Sequence, residues 1–130
     1  MSGAVCLDSW AVLEWLDGNE PAAERVELAM KARQLMSWLN AVEVYYRIER
    51  DHGRSEADEV INELKTSVEL DLPTTARCIA AARIKTGNPI ALADCFAVAT
   101  AAARGLPLLT GDPEIIDARD LPCEIEDIRA

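Results

Sequence analysis

The segment from Ala91 to Arg104 (ALADCFAVATAAAR) predicts a helix that is apolar on every side, and such a helix belongs in a protein interior. It contains one carboxylate, Asp94, which is costly to remove from water without compensation. The only basic side chain in the segment, Arg104, is ten residues away and out of reach of helical neighbour contacts. Asp94 therefore needs a partner from elsewhere. Two interpretations are open: a divalent metal ion, or the dipole and free N–H groups of the helix N-terminus.

Length and composition predict one compact domain over residues 1–130, because half of the residues are apolar. No apolar run approaches the roughly 18 residues of a membrane span, and the N-terminus has no signal-peptide pattern. We therefore expect a cytoplasmic protein without membrane contact. The four cysteines form no C-x-x-C pair, and the single histidine, His52, stands at a predicted helix end where a capping role fits. Zinc binding and His-based nucleophilic catalysis are disfavoured.

Short apolar runs alternate with helical patterns along the chain. The runs that predict strands are Ala4–Leu7, Gln34–Trp38, Val68–Leu72, Leu106–Leu109 and Cys123–Ile125. Helices are predicted between them, one capped by Asn40 and one reaching from Pro21 to about Arg33. This alternation is typical of βαβ units and of a parallel sheet covered on both faces. The predicted fold class is α/β, a three-layer α/β/α sandwich with a central, mainly parallel sheet.

Four carboxylates are predicted to face one crevice. Asp8 and Asp112 follow predicted strands, and ligands bind at the carboxyl ends of the strands in open parallel sheets. Asp94 begins the helix before the strand that leads to Asp112, and Glu43 falls in the first turn of the helix that Asn40 is predicted to cap. The sequence therefore predicts that Asp8, Glu43, Asp94 and Asp112 share a site.

Each of these acids also has a purely structural interpretation. Asp8 could be an N-cap, Glu43 the acid of a capping box with Asn40, and Asp112 an Asx turn before Pro113. As a set, however, four carboxylates without basic partners would repel one another and raise one another's pKa values. A bound cation removes this conflict.

Oxygen ligands without His or Cys favour Mg²⁺ or Mn²⁺. Two such ions about 4 Å apart can activate a water and stabilise the leaving oxygen of an in-line phosphoryl displacement, so no protein nucleophile is needed. Thr110 and Ser9 are candidates for hydrogen bonds to a carboxylate, a water or a phosphate, although either could simply cap its turn.

The chain resembles the PIN-domain nucleases, particularly the VapC-type toxins of bacterial toxin–antitoxin pairs. The segments that carry the resemblance, in the order of the family, are Val5–Ser9, Ser37–Glu43, Ile90–Ala99 and Leu108–Glu114. The resemblance implies a metal-dependent endoribonuclease whose acidic site contains Asp8, Glu43, Asp94 and Asp112, with Thr110 in support. It also implies an RNA substrate, a homodimer and a cognate antitoxin that wraps the toxin. The family often has Ser where this chain has Ala91, so Asn88 is a candidate for the helix cap.

The net charge of −10 argues against a broad basic surface, although an RNA-cleaving protein needs some cations to neutralise phosphates. The candidates on predicted helices are Arg47, Arg50, Arg54, Arg77, Arg83, Lys85 and Arg104. The alternative is ordinary ion pairing, of Arg47 with Glu43 and of Arg50 with Asp51 or Glu56.

Other functions fit the sequence less well. A phosphatase of the haloacid dehalogenase type needs a second acid where this chain has Trp10, and a nucleotide-binding Rossmann domain needs a Gly-rich turn after its first strand. A receiver-like signalling domain needs paired early acids and a late lysine that the pattern does not supply. The remaining alternative is a non-catalytic PIN-like interaction module that binds metal or a protein partner.

Overall fold

A computed structural model describes residues 3–130, which contain five strands and seven helices. The strands are β1 (Cys6–Leu7), β2 (Gln34–Ser37), β3 (Val68–Asp71), β4 (Leu108–Thr110) and β5 (Ile125–Asp127). The helices are α1 (Ser9–Asp17), α2 (Ala22–Ala29), α3 (Trp38–His52), α4 (Arg54–Ser67), α5 (Thr75–Gly87), α6 (Leu92–Arg104) and α7 (Pro113–Ile116). All five strands lie at or within two residues of their predicted positions, whereas α7 was not predicted.

The strands form one parallel sheet in the order β3-β2-β1-β4-β5. In β1, Leu7 pairs with Met36 on one side and with Leu109 on the other. The chain moves outward from β1 to β3 and then returns to β4 on the other side of β1. The topological switch point, where open α/β sheets bind ligands, therefore lies between the carboxyl ends of β1 and β4.

Alternate strand residues face opposite layers, as the side-chain period of two requires. Leu7, Met36 and Leu109 pack with helices α1 to α4, while Cys6, Leu35 and Leu108 pack with α5 and α6. The sheet thus lies between two helical layers, which confirms the predicted α/β/α sandwich.

The middle of helix α6 is buried as predicted, from Asp94 to Ala101, whereas Leu92 at its start is exposed. It ends at Gly105, whose φ of 64° is the left-handed conformation that commonly terminates helices. Among residues 3–130, no helix has the length and apolar character that crossing a membrane requires.

The predicted cap of α3 was wrong. Ser37 caps this helix by accepting a hydrogen bond from the Leu39 amide at 3.2 Å, so the helix begins directly at the end of β2. Asn40 is instead buried in the first turn, where its Nδ2 donates to the Ala93 carbonyl at 3.3 Å. Glu43 consequently lies in the second turn of α3 and cannot form the capping box with Asn40.

Helix α2 is shorter than predicted because the chain must turn before it enters β2. The side chain of Gln34, the first residue of β2, donates to the Ala29 carbonyl and accepts from the Val5 amide, both at 2.8 Å. These two hydrogen bonds connect the last residue of α2 to the segment that leads into β1. The helix therefore ends at Ala29 rather than near Arg33.

Candidate metal centre

Asp8 lies at the end of β1 and is only 1% exposed. Its Oδ1 accepts a hydrogen bond from the Ala11 amide at 2.8 Å and caps α1, as the structural interpretation predicted. Its Oδ2 is also buried and has no hydrogen-bond partner within residues 3–130. Capping therefore explains one oxygen of Asp8 and leaves the other free for a ligand.

Asp94 occupies the first turn of α6 and is 5% exposed. No side chain among residues 3–130 caps this helix; Asn88 donates from Nδ2 to the Ile84 carbonyl at 3.1 Å and thus serves the end of α5 instead. The helix dipole favours an anion at this position. It does not satisfy the buried Oδ2 of Asp94, which is unpartnered within the described part of the chain.

Asp112 follows β4 and caps the short helix α7, because its Oδ1 accepts from the Glu114 amide at 3.0 Å. Thr110 is fully buried, and its hydroxyl oxygen accepts from the Asp112 amide at 3.0 Å. The Asx-turn interpretation of Asp112 is therefore right in geometry, and Thr110 shapes the same turn. The second carboxylate oxygen of Asp112 is not used by the cap.

The closest group of acids includes one residue that the sequence analysis missed. One oxygen each from Asp94, Asp112 and Glu114 lie within 4.8 Å of one another. Glu114 is exposed and stands in the first turn of α7, which Pro113 opens. The Asp-Pro-Glu sequence carried a signal for this placement, because proline favours the first helical position and puts the following acid on the same turn as the capping Asp112.

Glu43 approaches the site from α3, with its carboxylate held by a hydrogen bond from the Ser9 hydroxyl. It lies close enough to Asp8 and Asp94 to raise the pKa of both carboxyls, in each case after burial, the largest cause. The fold thus brings all four predicted carboxylates into one electrostatic cluster. Asp8 and Glu43 lie outside the closest group of three oxygens.

Burial raises the pKa of Asp8 to about 7 from its ordinary value of 3.8. The Thr110 hydroxyl and the Ala11 amide offset part of this increase, while the charges of Asp112 and Glu43 add to it. A carboxyl with this pKa is protonated for a large part of the time near neutral pH unless a cation replaces the proton.

Burial likewise raises the pKa of Asp94 to about 8, with further increases from Asp112, Asp8, Glu43 and Glu114. Within residues 3–130 no basic side chain forms an ion pair with any of these five acids. Two buried unpartnered oxygens and a set of oxygen-only donors fit a hard divalent cation such as Mg²⁺ or Mn²⁺.

Gly111 allows the loop between Thr110 and Asp112 to pass against an aromatic ring. A Cβ at this position would lie only 2.2 to 2.5 Å from the indole ring atoms of Trp10. The absence of a side chain at Gly111 therefore sets how closely α1 packs on the loop that carries Asp112.

Two clefts open from the acidic cluster. The α7 cleft has a volume of about 510 Å³ and is lined by residues 87–90, Pro113, Glu114 and residues 117–119. The α3 cleft has a volume of about 210 Å³, and its lining includes Ser9, Trp10, Glu43, Arg47, Asp51 and Asp112. Of the two ion pairs considered as alternatives to RNA binding, Arg50 pairs with Asp51 at 3.0 Å, whereas Arg47 and Glu43 form no ion pair within residues 3–130.

Comparison with models of protein families shows the family of the chain. The family model described as the PIN domain matches residues 5–121 of the sequence. The chain belongs to the PIN-domain family. A comparison with curated protein sequences finds no match.

Solved structures of other PIN-domain proteins share this fold. DNA-bound VapBC from Salmonella typhimurium matches with a TM-score of 0.74 and 21% identity, over 95% of this chain and 97% of that one. The sarcin–ricin-loop-cleaving toxin VapC20 of Mycobacterium tuberculosis matches with a TM-score of 0.74 and 15% identity, over 93% and 99%. VapBC-1 from nontypeable Haemophilus influenzae matches with a TM-score of 0.69 and 21% identity, over 98% and 99%.

Proposed function

We propose that this PIN domain is a metal-dependent endoribonuclease that hydrolyses RNA phosphodiester bonds and acts as the toxin of a type II toxin–antitoxin pair. One observation carries the proposal: oxygens of Asp94, Asp112 and Glu114 lie within 4.8 Å of one another, beside buried and unpartnered oxygens of Asp8 and Asp94. A module that binds no cation has no physical reason to retain such uncompensated buried charge.

In this proposal Asp94 and Asp112 hold Mg²⁺ or Mn²⁺, as predicted from the sequence, and Glu114 joins them. Asp8 contributes its free Oδ2, and Glu43 completes the acidic site. The bound ion would supply a water of lowered pKa and positive charge for the leaving oxygen.

The surrounding side chains keep the ligands in place. Thr110 fixes the turn of Asp112, and Ser9 orients Glu43. Asn40 connects α3 to the first turn of α6, and thereby sets Glu43 relative to Asp94. Because these groups stand on helices and at strand ends, the carboxylates can be held rigidly, as metal-dependent catalysis requires.

Cleavage of RNA tests the nuclease proposal. We expect Mn²⁺- or Mg²⁺-dependent cleavage of total RNA, lost with a chelator, and a decrease of at least about 100-fold for Asp94→Asn. Asp71→Asn is the matched control, because Asp71 is a carboxylate paired with Arg77 outside the site. Equal cleavage by the parent and Asp94→Asn would remove the proposed mechanism and leave the non-catalytic interaction module.

The toxin role, a homodimer and a cognate antitoxin are proposed by analogy with structural relatives solved as VapBC complexes. We expect expression of the chain to arrest growth, and co-expression of a small protein encoded beside it to restore growth. The measurement is colony formation with each gene induced separately and together. Harmless expression of protein that cleaves RNA in vitro would contradict the toxin role and spare the nuclease role.

A further inference from the structure

The acidic cluster contributes residues to the lining of both clefts. Asp112 lines the α3 cleft and Glu114 lines the α7 cleft, and both contribute an oxygen to the same group of acids. A ligand that occupies both clefts must therefore pass over the proposed metal ligands. A linear polymer has this shape, and it would place one of its units at the acids and its neighbours in the clefts.

Each cleft has one arginine without an ion pair. Arg47 lines the α3 cleft and Arg119 lines the α7 cleft; both are exposed and lie outside all the ion pairs within residues 3–130. In contrast, six other arginines are paired with carboxylates: Arg25, Arg50, Arg54, Arg77, Arg104 and Arg129. Each cleft therefore contains a guanidinium group that forms no ion pair within residues 3–130.

We propose that a single RNA strand crosses the metal centre from one cleft to the other, and that Arg47 and Arg119 bind the phosphates on opposite sides of the scissile phosphate. This inference rests on the proposed ribonuclease function and adds the path of the substrate to it. A guanidinium group binds a phosphate through two parallel hydrogen bonds, which suits it for positioning a flexible strand.

The charge balance of the chain makes such contacts necessary. The protein carries a net charge of −10, and Glu14, Asp17 and Asp51 lie in the α3 cleft together with Arg47. A phosphate backbone is repelled by this surface except where a cation faces it. Arg47, on the same helix as Glu43, and Arg119, three residues beyond the end of α7, provide a cation in each cleft.

Salt-dependent RNA binding tests the proposal without relying on catalysis. The probe is a short fluorescent single-stranded RNA, measured by anisotropy with Ca²⁺ in place of Mg²⁺, for the parent, Arg47→Gln and Arg119→Gln. We expect each variant to bind roughly three- to tenfold more weakly, and the slope of log K against log salt to fall by about 0.7 for each lost phosphate contact. For the double variant, we expect the magnitude of this slope to fall by about 1.4.

Arg33→Gln is the matched control. Arg33 is an exposed arginine that forms no ion pair with residues 3–130, but it precedes β2 at the opposite end of the sheet and lines neither cleft. RNAs that carry a neutral methylphosphonate linkage on one side of the scissile position then show which phosphate each arginine binds. The substitution of an arginine should have no further effect when the linkage that it binds is already neutral.

The outcomes distinguish failure of the two-cleft RNA path from failure of the proposed ribonuclease function. If the protein cleaves RNA but the salt slope is the same for Arg33→Gln, Arg47→Gln and Arg119→Gln, the two-cleft path is overturned. The clefts would then be candidates for binding a protein partner. A reduced slope for only one of the two cleft arginines also overturns it. Absence of RNA cleavage by the parent protein overturns the proposed function instead.

Discussion

The acids on the edge strands of the sheet form ion pairs with arginines, whereas those beside its central strands do not within the described part of the chain. On the edge strands, Glu69 pairs with Arg104 at 2.9 Å and Glu126 pairs with Arg25 at 2.6 Å. After the central strands, Asp8 and Asp112 have no basic partner within residues 3–130, although Arg47 stands in the same cleft as Asp112. The unpaired charge of the site therefore does not come from a lack of arginine; the fold compensates the edges and leaves the centre open for a cation.

The two regions also differ in what their charges do to stability. An exposed ion pair contributes between zero and about 1 kcal/mol, so an acid such as Glu69 is nearly neutral for folding. A buried carboxylate without compensation is destabilising by considerably more. We infer that electrostatic repulsion and burial destabilise the centre in the absence of metal.

The largest effect is expected in the pH dependence of metal-free stability. The pKa of Asp8 is about 7 in the folded protein against an ordinary 3.8, so the folded state binds this proton more tightly than the unfolded state. The stabilisation is fully present below about pH 4 and is lost as pH rises through 7. Asp94, with a pKa of about 8, acts in the same direction and extends the loss to higher pH.

Thermal unfolding in chelator measures this effect. We expect the free energy of unfolding to fall by a few kcal/mol between pH 5 and pH 8, and Asp8→Asn to remove much of the decrease, because asparagine can still accept the hydrogen bond from the Ala11 amide. Asp71→Asn, on an edge strand, should keep the pH profile of the parent. A profile that rises over this range equally in the parent and in Asp8→Asn would contradict the electrostatic difference.

A smaller effect is expected from metal binding. Mg²⁺ or Mn²⁺ at about 100 times its dissociation constant should stabilise the parent by about 2.7 kcal/mol and raise Tm by several degrees. The site variants Asp94→Asn and Glu114→Gln should show a smaller shift, and Glu124→Gln serves as the exposed control for Glu114. Equal shifts for Glu114→Gln and Glu124→Gln would remove Glu114 from the set of ligands.

Much of this fold could be predicted from local patterns. The apolar character of residues 92–103 indicated that α6 is buried, and strand runs that alternate with helices gave the parallel sheet. Asp8 and Asp112 could be placed at one edge because chain direction alone puts both at the carboxyl ends of parallel strands. These predictions depend on periodicity and on the direction of the chain, which the sequence carries directly.

The remaining errors concern contacts between distant segments. Ser37 belongs to β2 and also caps α3, so the pattern could not separate the strand from the helix start, and the polar Asn40 was taken for the cap. The hydrogen bond from Asn40 to Ala93 joins residues 53 positions apart and has no local signal. The sequence left open whether Arg47 pairs with Glu43, because correct helical spacing allows an ion pair but does not require one.

The smallest effect is expected from Gly111→Ala, which tests whether the centre depends on close packing around its loop. A methyl group there would lie 2.2 to 2.5 Å from the Trp10 ring, so either the ring or the loop that carries Asp112 must move. We expect a loss of about 2 kcal/mol in the free energy of unfolding, as for overpacked cores.

If the loop moves, Asp112 is displaced from Asp94 and the metal-induced rise in Tm decreases together with cleavage. The double variant Trp10→Leu with Gly111→Ala provides the control, because it makes room for the methyl group. Recovery of the metal response in the double variant would show that the aromatic ring positions the loop through contact. An undiminished metal response in Gly111→Ala alone would show that the ring yields, and that the geometry of Asp112 is fixed by the hydrogen bond between its amide and Thr110.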